Sequence, residues 1–129
     1  MAENKDYWST SNEQGTVKIS EDVVASIAAI STTETEGVGG IYTGGLGSDI
    51  AEFLGKKNNA KGIKIRFNGD LVEVDICILT IYGYSIIGVA KEVQKAVHTA
   101  IESMTGLHPS FIDIHISGIV SGKSKGTDA

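Results

Sequence analysis

The sequence predicts an α+β fold in which two main helices lie on one face of a mainly antiparallel sheet. Three observations carry that expectation. Two alternating apolar runs, Ile63-Ile65-Phe67 and Val72-Val74-Ile76, flank Asn68-Gly69. Asn-Gly between alternating runs is a strong hairpin signal, because a type I′ turn needs positive φ at both central residues. Two other stretches repeat their apolar residues at helical spacing. The segment order is strand, helix, hairpin, helix, strand, with a short glycine-flanked helix before the hairpin. Helices beside an antiparallel sheet are the simplest way to bury such faces.

Residues 1–14 are polar apart from Tyr7 and Trp8, and read as a disordered arm. Val17 and Ile19 mark a short strand. Ser20 is a good N-cap, and Glu21 and Asp22 suit the positive end of a helix. The expected buried stripe of that helix is Val23, Ile27 and Ile30, widened by Val24 and Ala28, with an end before Gly37. Residues 37–47 hold six glycines, and one short strand at 38–42 fits between them. Ser48 can cap a short helix with Ile50, Phe53 and Leu54 on one face, ended near Gly55.

A two-residue loop at Asn68-Gly69 sets Ile65 opposite Val72, Ile63 opposite Val74, and Lys64 opposite Glu73. Further along, Cys77, Leu79 and Ile81 continue the face that carried Glu73 and Asp75. Apolar residues on both faces imply a second cover there, either the Phe53 helix or another subunit. The longest helix spans about 86–105, with Ile86, Val89, Ala90, Val93, Val97, Ala100, Ile101 and Met104 as its stripe. Gly106 ends it, and Ile112, Ile114 and Ile116 then alternate with Asp113 and His115. The expected organisation is one α+β domain over 15–120 and a polar tail over 121–129.

The length of 129 residues fits one domain, and an apolar fraction of 41% supports a core. A formal net charge of −5 argues against a general nucleic-acid binder, whose affinity comes from neutralising phosphates. The lone Cys77 leaves no intrachain disulfide and fits a reducing compartment. No apolar run approaches the ~20 residues of a membrane span, and no secretory signal is visible. A cytoplasmic location is expected, with any membrane contact made through a partner.

No constellation of reactive residues stands out. Gly118 and Gly122-Lys123-Ser124 mimic a phosphate loop, but three residues separate the glycines where four are required, and no helix follows. His115 and Asp113 share a strand face and could begin a metal site, yet zinc needs three or four ligands. His98 can pair with Glu102 at i+4. Cys77 lacks an activating partner in the sequence. Thus no catalytic, cofactor-binding or metal residues are expected. Gly37-Val38-Gly39-Gly40 superficially fits the GxxG loop of KH domains, and Lys56, Lys57 and Lys64 could supply a basic patch. A small KH-like RNA-binding module is therefore the alternative reading. The candidate interaction residues are Phe53, Cys77, Leu79 and Ile81, for a homo-oligomer.

A collinear series of segments resembles a known family. The segments are Gly15-Thr16-Val17-Lys18-Ile19-Ser20, Glu36-Gly37-Val38-Gly39-Gly40, Gly55-Lys56-Lys57-Asn58, Lys61-Gly62-Ile63 and Tyr82-Gly83. Val89-Ala90-Lys91-Glu92-Val93-Gln94, Thr105-Gly106-Leu107 and Ile112-Asp113-Ile114-His115-Ile116-Ser117-Gly118 complete it. Together they resemble the alkaline-shock (general stress) proteins of Gram-positive bacteria. One departure is Ile87-Gly88, where that family usually has Pro-Glu, which removes a favourable first-turn proline. The resemblance implies a non-enzymatic protein of the envelope stress response. It also implies self-association and recruitment to the membrane by an anchoring protein partner.

Overall fold

The computed structural model describes residues 7–43 and 62–121. In chain order these form β1 (Tyr7–Asn12), β2 (Gly15–Ser20), α1 (Glu21–Thr33), β3 (Val38–Ile41), β4 (Ile63–Asn68) and β5 (Leu71–Ile81). Then come α2 (Ile86–Thr105) and β6 (His108–Val120). The architecture is α+β, with both helices packed on one face of a four-stranded sheet. The expected Phe53 helix and most of the 121–129 tail lie outside the described residues.

β5 is the spine of the sheet. β6 pairs with it in parallel along one edge, while β4 and β3 pair with it antiparallel. Cys77 shows that β3 and β4 share the other edge end to end. Its N–H donates to the Gly62 carbonyl at 2.9 Å, and its carbonyl accepts from Tyr42 N–H at 2.8 Å. Both backbone groups of one strand residue point to the same side, so the two short strands meet at Cys77. The parallel β5–β6 pairing is the longest in the sheet. It depends on α2 as its crossover, since parallel neighbours cannot be joined by a tight turn.

The hairpin forms where the sequence predicts it, but in a different register. Ile65 faces Val74, Ile63 faces Ile76, Lys64 faces Asp75, and Arg66 faces Glu73. The two-residue loop is therefore Gly69-Asp70 instead of Asn68-Gly69. Gly69, with φ of 66°, takes the first central position, where a primed turn needs positive φ. The shift is by two residues, so every side chain keeps its face.

The inner sheet face is sealed by the helices. Val72, Val74, Ile76 and Ile78 of β5 are buried with Ile63, Ile65 and Ile112 beneath Val89, Val93, Val97 and Ile101 of α2. On α1 the buried stripe is Val24, Ala25, Ile27, Ala28, Ala29 and Thr32. Val23 and Ile30, expected inside, are exposed, as are Ile86 and Met104 of α2. The alanines explain the rotation of α1: small side chains let a helix approach its neighbours closely, and bulkier ones at those positions would hold it off. Ser20 caps α1 by accepting from Val23 N–H, and Gly106 ends α2 with φ of 82°. Ser85 caps α2 by accepting from Gly88 N–H at 3.1 Å, so the chain reaches a capped helix start without Pro-Glu.

The arm expected over 1–14 is in part a strand. Tyr7–Asn12 pairs antiparallel with β2 throughout. Trp8 and Ile19, opposite one another, pack against the core, and the Trp8 indole N–H reaches Asp70 Oδ1 at 3.4 Å.

Candidate interaction surface

The outer sheet face is the candidate site. It follows from strand alternation: with even-numbered β5 residues in the core, Glu73, Asp75, Cys77, Leu79 and Ile81 point the other way. All five are half-buried. The face divides across its middle.

One half is charged. Arg66 Nε lies 3.2 Å from Glu73 Oε1, and His115 Nε2 lies 3.7 Å from Asp75 Oδ1. Asp75 stands between Lys64 on β4 and Asp113 on β6 in the strand register. Among the described residues neither Lys64 nor Asp113 has an ion-pair partner. At the next level Glu73 stands between Arg66 and Phe111, and the Phe111 ring is 63% exposed.

The other half is apolar and flat. Leu79 and Ile81 are joined by Val120, which faces Ile81 in register. Two glycines make the surface smooth. A Cβ at Gly118 would lie 3.0 Å from Leu79 Cδ2, and one at Gly39 would lie 2.5 Å from Val120 Cγ2. Any larger residue would displace the aliphatic side chains that lie there. Sequence reasoning found Cys77, Leu79 and Ile81 and missed Val120 and the two glycines. Their role depends on the parallel β6 register, for which the sequence offers no local signal. Phe53, Lys56 and Lys57 lie outside the described residues.

The remaining candidates separate. Gly37-Val38-Gly39-Gly40 enters β3 and its bulge against β5, so it is edge strand instead of a GxxG loop. Lys64 sits among Glu73, Asp75 and Asp113, which does not make a basic patch. His115 faces Asp75 across the strands, away from a pairing with Asp113 alone. His98 and His108 both approach Glu102, at 3.8 Å and 3.2 Å. Among the described residues no three metal-ligating side chains gather into a site. A groove of about 700 Å³ runs between the end of α1 and α2, lined by Glu34, Glu36, Glu92 and Lys95. Beside it the Tyr84 hydroxyl donates to Glu36 Oε2 at 3.2 Å; that bond, with the carboxylate charge, raises the phenol above its usual 10. Neither place pairs a nucleophile with a base. Among the described residues no helix is long and apolar enough to cross a membrane.

The described residues form two layers, with the outer sheet face opposite the helices. The chain belongs to the alkaline shock protein 23 family, described by a cell envelope-related function, whose pattern it matches over residues 9–121. It is 34% identical over 105 residues to YqhY of Bacillus subtilis (strain 168), covering 81% of this chain and 77% of that protein. Spy1614 of Streptococcus pyogenes serotype M6 is 29% identical over 108 residues, covering 83% of this chain and 89% of that protein. YloU of Bacillus subtilis (strain 168) is 28% identical over 106 residues, covering 81% and 88%. Among solved structures, a MamM-CTD variant matches at 13% identity and a TM-score of 0.47, covering 76% of this chain and 96% of that one.

Proposed function

We propose that this chain is a non-enzymatic protein of cell-envelope homeostasis and the envelope stress response. In this reading it is cytoplasmic, associates with itself through the outer sheet face, and reaches the membrane through an anchoring protein. The family description supplies the envelope context. The observation that carries the interaction role is the flat apolar half of the outer face, where Leu79, Ile81 and Val120 are left half-covered beside Gly39 and Gly118. Apolar area of this kind on a small domain marks a contact surface.

The test is made in cells that produce the protein, with two differently tagged copies at native level and a membrane-permeant cross-linker. The expected result is cross-linking of one tagged copy to the other and to an integral membrane protein, with fluorescence at the cell margin. A chain that cross-links to neither and spreads evenly through the cell would overturn the reading. Retention on mixed RNA in a salt-sensitive manner would move it to the nucleic-acid class instead.

A further inference from the structure

We propose that the outer sheet face binds a second copy of this chain in one particular way: face to face, about a two-fold axis running along β5. The proposal rests on the self-association reading and specifies its geometry. It begins from the columns of the face. Lys64 on one flank and Asp113 on the other stand level with Asp75, and neither has an ion-pair partner among the described residues. Arg66 on the first flank and the exposed Phe111 on the second stand level with Glu73.

A two-fold axis in the interface plane, parallel to β5, keeps the levels and exchanges the flanks. Lys64 of each copy then meets Asp113 of the other, and Arg66 meets the Phe111 ring. Sheets stack roughly 10 Å apart, a gap that a lysine and an aspartate reaching from opposite sides can close. Arginine over an aromatic face is a favourable cation–π contact. One patch thus supplies both halves of each pair, as a closed symmetric contact requires. The residues on the axis meet their own counterparts. For Leu79 and Ile81 that is apolar against apolar, and glycines stand level with Leu79 on both flanks, Gly40 and Gly118. For Glu73 and Asp75 it is like against like, but Glu73 has Arg66 at 3.2 Å in its own chain, and the His115 ring Nε2 stands 3.7 Å from Asp75 Oδ1. The other in-plane axis, across the strands, reverses the levels. It removes Lys64 from Asp113 and leaves Phe111 unexplained.

The test is a charge exchange read by sedimentation equilibrium on the full chain. Lys64→Glu and Asp113→Lys should each weaken the dimer roughly tenfold or more, since each sets like charges together across the contact. The double variant restores the pair in reverse and should recover most of the loss. A short bis-maleimide should join Cys77 of one copy to Cys77 of the other in the wild-type dimer. A dimer that ignores both single changes, or a double variant weaker than either single one, would overturn this geometry while leaving self-association standing. A chain that stays monomeric at high concentration would overturn both.

Discussion

The two faces of β5 are built from alternate residues of one strand, yet they are held to different standards. On the inner face Val72, Val74, Ile76 and Ile78 are at most 1% exposed, beneath α1 and α2. On the outer face Glu73, Asp75, Cys77, Leu79 and Ile81 are all half-buried, with no layer of the described residues above them. The inner face is constrained by close packing, so its residues set stability. In the reading proposed here, the composition of the outer face answers to a partner instead. Half of it is nonetheless apolar, with Cys77, Leu79 and Ile81 in a row.

The comparison can be broken most strongly from the inside. Ile76→Ala removes a fully buried side chain at the centre of the sheet. It should cost about 2–5 kcal/mol in denaturant unfolding. A loss well below 1 kcal/mol would show that the inner face is not the closed core described here.

Next comes the turn that assigns residues to faces. Gly69→Val meets no neighbouring atom, so its penalty comes from φ of 66° alone. A destabilisation of roughly 1–3 kcal/mol is expected for a β-branched residue there. An unchanged melting temperature would mean the Gly69-Asp70 loop does not set the register.

The smallest effect sharpens the picture of the inner face. The Thr80 hydroxyl is fully buried and has no hydrogen-bond partner among the described residues. Thr80→Val keeps the shape and removes an unmet polar group, and should stabilise by about 1 kcal/mol. Loss of stability would reveal that the hydroxyl is satisfied.

Legibility followed the range of each signal. The hairpin, the Ser20 cap and the Gly106 stop are written in neighbouring residues, and each appears where the sequence puts it. The hairpin register slipped because Asn68-Gly69 and Gly69-Asp70 both offer a turn, and alternation alone cannot separate registers two residues apart. In the α1 stripe Val24, Ile27 and Ala28 are buried as expected, and the difference lies in Val23 and Ile30, which outweigh Ala25 and Ala29 in apolar weight while packing rewards the smaller side chains. β1 went unseen because Ser9-Thr10-Ser11-Asn12 is polar, and its strand exists through pairing with β2. Of the candidate face, the β5 row was readable from alternation. Its flanks were not, because they depend on which strand lies beside β5 and in which direction.

The central claim is that the outer face is a contact surface and not part of the monomer core. Sedimentation equilibrium of the wild-type chain and Leu79→Asp, with melting curves of both, tests it most directly. Leu79 lies in the apolar half, half-buried and against Gly118. The expected result is a wild-type dimer or larger assembly and a folded Leu79→Asp monomer whose melting temperature is close to that of the parent. A wild-type chain that remains monomeric at high concentration, or a variant that unfolds, would contradict it.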